Sequence, residues 1–346
     1  MRSYGLTPEN SPAEGWGMDI EEARSIKRSI VAATTASLHE DAAYVAGPFG
    51  MAVDEGPPVV REWEGIALGL SRRSTGDVRL ALRATSEVVL TAGPVADLLD
   101  VRGEEVDIEI TGEIVPFTLP YEGPVDPLQA GYSVGHVSIT AGTLGAFVRP
   151  TTGDDVHILS NNHVLAAVNN AAAGDVIVAP GPLDGGLSAR RVATLTAFEA
   201  LVPGAANLID GAIAQLDPTA AFTLSTPEGL TPRGALGNDE VDDGLAVTKV
   251  GRTTGVTRGR VTAVELDGVR VNYTGAGVFS FDNQIEIKTE DGTPFSRPGD
   301  SGSLIVTDDE DRLAVGLLFA GGAAGGHHTY ANPIETVLDT LGIVLL

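Results

Sequence analysis

Apolar positions along the chain recur with two different periods, one helical and one strand-like. After Asp19, the run Ile20-Glu21-Glu22-Ala23-Arg24-Ser25-Ile26-Lys27-Arg28-Ser29-Ile30-Val31 places acids early, bases late and apolar residues near helical spacing. This predicts one amphipathic helix with Asp19 as its cap. Segments 65–70 and 77–85 flank the turn signal Ser74-Thr75-Gly76, the pattern of a hairpin. Residues 95–101 suit a short helix, and 106–117 alternate apolar residues with acids before running into Ile114-Val115. Residues 118–132, with Pro120, Gly123, Pro124 and Pro127, read as a linker. The first part of the chain therefore divides into a tail and helix over 1–46 and a small α+β module with its linker over 47–132.

From 133 to 346 the strand period dominates. Short β-branched runs, separated by Gly, Asp and Pro turns, continue almost to the end, as a barrel or sandwich requires. Strands are predicted at 247–250, 259–266, 269–273 and 285–287, with the acid-rich, Pro- and Gly-bearing stretch 217–243 as a connection. Ile334, Val337, Leu338 and Leu341 then recur at helical spacing after Pro333, which predicts a closing helix.

Composition narrows the function. A chain of 346 residues makes two to three structural units the prior and allows a sizeable core. Cysteine is absent, which excludes disulfides, thiolate metal sites and a cysteine nucleophile. Residues 1–16 lack the basic-then-apolar pattern of a secretion signal, so the expected location is cytoplasmic. A net charge of −25 argues against nucleic acid and anionic membranes as partners. No Walker or Rossmann glycine pattern occurs, and no cofactor is expected. The acid clusters at 239–243 and 308–311 lack the spaced ligands of a calcium loop and read as solvated turns. His327-His328 has no third ligand nearby in sequence and reads as cleft rim or surface, so no metal is expected.

The chemistry concentrates at Arg297-Pro298-Gly299-Asp300-Ser301-Gly302-Ser303, ahead of the apolar run Leu304-Ile305-Val306. Ser301 between glycines is a candidate nucleophile, and the N–H groups of Gly299 and Ser301 are candidates to hold an oxyanion. The same residues also make good turn chemistry, so the functional reading needs a base and an acid elsewhere. Of six histidines, His163 stands apart because it follows a strand that breaks at Ser160-Asn161-Asn162. His136 and His157 sit within strand-like runs, where an outward imidazole is the default. Asp210, set in Asn207-Leu208-Ile209-Asp210-Gly211-Ala212-Ile213, would be costly to bury unpaired, and a histidine N–H is a natural partner. The chain order is His, Asp, Ser, with separations of 47 and 91 residues.

These motifs, together with Val315-Gly316-Leu317-Leu318-Phe319-Ala320-Gly321-Gly322, resemble those of the chymotrypsin/trypsin family of serine peptidases in a cysteine-free bacterial form. Lys249-Val250-Gly251-Arg252-Thr253-Thr254-Gly255 and the closing Ala331-Asn332-Pro333-Ile334 are similar to a subgroup with an N-terminal extension. The resemblance covers about 133–346. It implies a mainly β fold, a chymotrypsin-like double β-barrel preceded by the small α+β module, and a serine endopeptidase acting through His163, Asp210 and Ser301. It further implies a protein or peptide substrate, specificity positions at Phe295 and Ser296, and a cleft edge at Ala320, Gly321 and Gly322 that pairs with an extended peptide. Assembly of several copies is left open.

Two departures qualify the resemblance. Phe319 stands where the family commonly has a serine that helps to hold the catalytic aspartate, so Asp210 needs other partners. A freed N-terminus that would pair with Asp300 has no visible counterpart, which leaves an internal group to hold it. Two further readings therefore remain open: a non-catalytic scaffold that binds extended peptides or assembles, and a peptidase whose N-terminal module blocks or regulates its cleft.

Overall fold

The computed structural model describes residues 18–42, 65–72, 78–91, 93–112, 114–115, 126–289, 293–322 and 327–346. The predicted tail, the stretch 47–58 and most of the predicted linker lie outside these residues. Helix α1 runs from Ile20 to Ala42, well past the periodic segment. The Asp19 carboxylate caps it by accepting the N–H groups of Glu21 and Glu22 at 2.9 and 3.0 Å. Strands β1 (Ile66–Arg72) and β2 (Val78–Ala84) form the predicted antiparallel pair. Helix α2 (Gly93–Arg102) then lets β3 (Val106–Ile110) return parallel to β2. The two-residue strand β4 (Ile114–Val115) comes next.

A half-barrel follows. Its segment contains β5 (Ser133–His136), β6 (Gly142–Thr143), β7 (Ala146–Pro150), β8 (His157–Ser160), the single-turn helix α3 (Asn162–Leu165), β9 (Val176–Val178), β10 (Arg191–Phe198), β11 (Ala206–Asn207) and β12 (Ala212–Leu216). The later segment supplies β13 (Gly234–Ala235), β14 (Ala246–Gly251), β15 (Gly255–Asp267), β16 (Val269–Tyr273), β17 (Gly277–Phe281), β18 (Gln284–Lys288), β19 (Leu304–Thr307), β20 (Leu313–Gly322), β21 (Thr329–Pro333), helix α4 (Ile334–Leu341) and β22 (Ile343–Leu345). In the half-barrel the order is β22-β7-β8-β12-β10-β9-β5-β6, so the last strand of the chain ties the C-terminal segment back to the first sheet. Strands β14-β19-β20-β21-β18-β15 pair in that order, and β15 pairs again with β14. That second pairing closes a six-stranded barrel. The fold is mainly β, with a closed barrel and a half-barrel in the chymotrypsin-like double-barrel arrangement that the motifs imply.

The N-terminal segment is built into this wall. Strand β1 pairs with β15, so the sheet of β1, β2 and β3 continues from the closed barrel. Every residue of β1 is buried, which fits a strand covered on both faces. Leu68, Leu70, Leu80 and Leu82 share one apolar cluster with Val247, Ile287 and Phe295. Burying each such leucine contributes about 2 kcal/mol, so the contact is an extension of the core. Ile209, Leu317, Ile334 and Val337 form another cluster that brings together parts of both barrels. No helix among the described residues is long and apolar enough to cross a membrane.

Candidate active site

Asp210 precedes β12 and is wholly buried. One of its oxygens, Oδ1, accepts the backbone N–H of His163 at 3.1 Å; the other, Oδ2, lies 2.5 Å from His163 Nδ1. The imidazole is placed by α3, the single turn that forms where β8 breaks off at Ser160. Asn161 donates through Nδ2 to the Asp210 carbonyl at 2.7 Å, while the Asn332 side-chain oxygen accepts the Asp210 N–H at 3.0 Å. A third donor reaches the carboxylate: Tyr273 Oη, 2.6 Å from Oδ2. Burial and the charge of Asp210 push the Tyr273 phenol well above its ordinary value, so it stays protonated and donates.

Tyr273 explains how Asp210 is held although Phe319 occupies the cleft strand. The Phe319 ring lies tilted against Phe281, with centroids 4.7 Å apart, and Phe281 and Phe279 in turn flank Tyr273. The aromatic cluster thus supplies a hydroxyl from β16. A signal for it exists in the sequence: Val269, Val271 and Tyr273 alternate inward, and a tyrosine at the end of such a run needs a partner for its hydroxyl.

Ser301 lies across the junction of the two barrels, where its carbonyl accepts the Thr143 N–H at 2.7 Å. Gly302 has φ of +94°, and a Cβ there would come within 2.1 Å of Ser160 Oγ and 2.3 Å of the Thr143 carbonyl oxygen. Only glycine fits this close approach. The N–H groups of Asp300, Gly302 and Ser303 donate to Arg297, Leu318 and Asp300 carbonyls, respectively. Among the described residues no acceptor takes the N–H of Gly299 or Ser301, the two predicted oxyanion donors. The Ser301 hydroxyl, however, faces the Phe319 carbonyl oxygen at 3.5 Å. His163 Nε2 is buried and has no partner among the described residues. The structure therefore joins Asp210 to His163 but does not form a hydrogen bond between His163 and Ser301.

Asp300 shapes the loop around Ser301 from beneath. Its Oδ1 accepts the N–H groups of Thr253 and Thr254, and its Oδ2 accepts Thr254 Oγ1 and the Arg297 N–H, all between 2.8 and 3.1 Å. Lys249 Nζ stands 3.5 Å from Oδ2, with both side chains wholly buried. Burial lowers the Lys249 pKa, and the neighbouring Asp300 charge opposes that shift. The internal group that the sequence called for is thus Lys249 together with the Thr253-Thr254 turn.

The remaining predicted positions separate. Phe295 is wholly buried in the closed-barrel core, with Lys249 Nζ 5.8 Å from its ring centroid. Ser296 Oγ meets Thr329 Oγ1 at 2.7 Å. Ala320, Gly321 and Gly322 end β20, and Gly321 and Gly322 pair with β4 of the same chain. Three other histidines differ from expectation. His136 and His157 are buried, bonded to Asp175 and Ser138 in one case and to the Asp155 carbonyl in the other. His328 is also buried, between Glu286 at 3.0 Å and Glu109 at 3.1 Å, because the enclosed Glu286 carboxylate requires donors. Glu109, Glu286 and His328 are close enough to hold a metal ion. Arg83 and Lys288 already bring two positive charges to these carboxylates, which makes the group an ion-pair network.

Against this geometry stand the similarities to known proteins. No curated protein matches the chain. The family model described as the Nal1 C-terminal domain matches residues 241–337, from just before β14 into α4. Among solved structures the chain is similar to Thermobifida fusca protease A, at 17% identity and a TM-score of 0.44, over 63% of this chain and 99% of that one. It is similar to the α-lytic protease homologue N4 at 24% identity and a TM-score of 0.43, over 63% of this chain and 99% of the other. A glutamic acid specific serine protease, described as using a histidine triad in substrate binding, is similar at 19% identity and a TM-score of 0.43, over 63% of this chain and 100% of that one. The chain's own strand pairing, a closed six-stranded barrel beside a half-barrel, is the double-barrel arrangement already described.

Proposed function

We propose that the protein is a serine endopeptidase that works through an acyl-enzyme. The observation that carries this reading is the buried Asp210 carboxylate bonded to both the backbone N–H and Nδ1 of His163. A carboxylate on Nδ1 fixes the tautomer that leaves Nε2 as the proton acceptor. In the reaction Ser301 Oγ attacks the scissile carbonyl while His163 Nε2 takes its proton. Nε2 then returns the proton to the leaving amine, and water repeats the cycle to release the acid. The Gly299 and Ser301 N–H groups hold the oxyanion, and one such donor is worth about 3 kcal/mol of barrier. Apo sites often have loose catalytic hydrogen bonds that tighten on substrate binding, so a turn of the Ser301 side chain is part of this reading.

A second reading, a peptide-binding scaffold without turnover, is favoured by one observation: the Ser301 hydroxyl faces Phe319 instead of His163. An activated peptide ester separates the two. The peptidase gives a burst of alcohol equal to the enzyme present, followed by slower turnover, and Ser301→Ala gives none. Binding without a burst in the unaltered chain would sink the peptidase reading and leave the scaffold.

A further inference from the structure

The edge of β20 beside Ser301 is the most consequential feature that the triad leaves unexplained. Strand β19 covers one side of β20 only as far as the pair Leu304 and Leu317. Leu318 then bonds to the nucleophile loop, its N–H to Ser303 and its carbonyl to the Gly302 N–H. Past that point the other side of β20 remains with β21, through Ala320 with Tyr330 and Gly321 with Thr329. The first side would be an open strand edge leading away from Ser301. Strand β4 fills it, with Val115 opposite Gly321 and Ile114 opposite Gly322.

Three details make this more than edge cover. Gly322 donates its N–H to His328 at 2.9 Å, away from β4, and alternation along a strand then turns the polar groups of Gly321 toward Val115. The pairing is antiparallel, so the chain from Ile114 to Val115 advances toward Phe319, whose carbonyl adjoins the Ser301 hydroxyl. This is a peptide strand seated beside the serine and heading for it. Finally, the seat is coupled to the module: His328, which accepts from Gly322, holds Glu109 of β3 at 3.1 Å.

We propose that β4 is a built-in occupant of the peptide seat, and that the N-terminal module regulates the site by competing with extended peptides for Gly321 and Gly322. The inference rests on the reading of this edge as the place where a peptide docks. Two residues of strand make few hydrogen bonds, each worth about 1 kcal/mol net, so the occupant is displaceable. Being in cis, it still faces the edge at an effective concentration of about a millimolar. A peptide therefore binds only the fraction of molecules whose seat is empty, and its apparent affinity falls by that fraction.

Peptide binding to the full chain tests this apart from catalysis. The probe is a fluorescein-labelled heptapeptide with the sequence of residues 111–117, Thr-Gly-Glu-Ile-Val-Pro-Phe. It is titrated into Ser301→Ala and into Ser301→Ala with Val115→Pro, which removes the N–H facing Gly321. The expected result is binding at least about tenfold tighter in the double variant. Val115→Gly, which keeps the N–H and raises only the ordering cost of the strand, is expected to give a smaller gain and serves if the proline variant does not fold. Unchanged or weaker binding in the folded variant overturns the proposal. Tighter binding in a chain whose unaltered Ser301 gives no ester burst would uphold β4 as occupant while removing the peptidase reading. A burst with no tightening would do the reverse.

Discussion

Asp210 and Asp300 lie on either side of the same junction, both wholly buried, and they are held in opposite ways. Around Asp210 every donor to the carboxylate is a neutral N–H or O–H, or the His163 imidazole. Around Asp300 four neutral donors are joined by the ammonium of Lys249. Glu286, behind the cleft, follows the second pattern, with Arg83 Nε at 2.8 Å. The difference separates two uses of a buried charge. A carboxylate paired with a fixed cation has its charge already answered and serves as a structural tie. In the proposed peptidase, a carboxylate solvated only by neutral donors keeps its field for the cation that would form when His163 takes a proton.

This contrast can be broken by substitution. Asp210→Asn keeps the shape but favours the wrong imidazole tautomer, and kcat for peptide esters is expected to fall about 10,000-fold with little loss of stability. A fall under tenfold would mean that Asp210 is itself a structural tie. Lys249→Met leaves Asp300 buried without its cation and is expected to cost about 3 to 5 kcal/mol in urea unfolding. Stability within 1 kcal/mol of the parent would show that the neutral donors suffice there too.

Acid titration separates Glu286 from the rest. Burial alone would raise its pKa, but Arg83 and the His328 and Thr262 hydrogen bonds hold it at about 2 against an ordinary 4.5. Because the folded value is depressed, the stabilisation is complete above the ordinary value and is lost as pH falls from there toward 2. Its size is about 3 kcal/mol. Stability measured from pH 5 to 2 should show that loss in the parent, and Glu286→Gln should lack this component while being less stable at pH 7.

The smallest effect concerns Tyr273, which in the proposed peptidase is a positioning residue acting through Asp210. Tyr273→Phe removes one neutral donor and keeps the aromatic packing, so kcat is expected to drop about tenfold. The drop should fall on kcat, with KM for the ester unchanged. Loss of stability with kcat unchanged would assign Tyr273 to packing alone.

Much of this was legible before any coordinates. The helix after Asp19 and the helix after Pro333 each follow from local pattern, and the structure has them. The need for substitute partners at Asp210 and Asp300 could also be read, from Phe319 and from the missing N-terminal counterpart. Which residues answer that need was harder. Tyr273 is 63 positions from Asp210 and Lys249 is 51 from Asp300, and only barrel closure brings them together. Burial of His328 depends on Glu109 arriving from β3, and the occupied edge at Gly321 depends on β4. Neither contact has a period or motif in the sequence, because each joins segments some 200 residues apart.

The central claim is that Ser301 is activated by His163, although its hydroxyl points elsewhere in the resting chain. A biotinylated fluorophosphonate, which reacts with an activated serine and needs no peptide to dock, addresses it directly. Peptide mapping of the labelled full chain should find the adduct on Ser301, and none in His163→Ala. No adduct, or one on Ser301 that forms equally fast without His163, would contradict the claim.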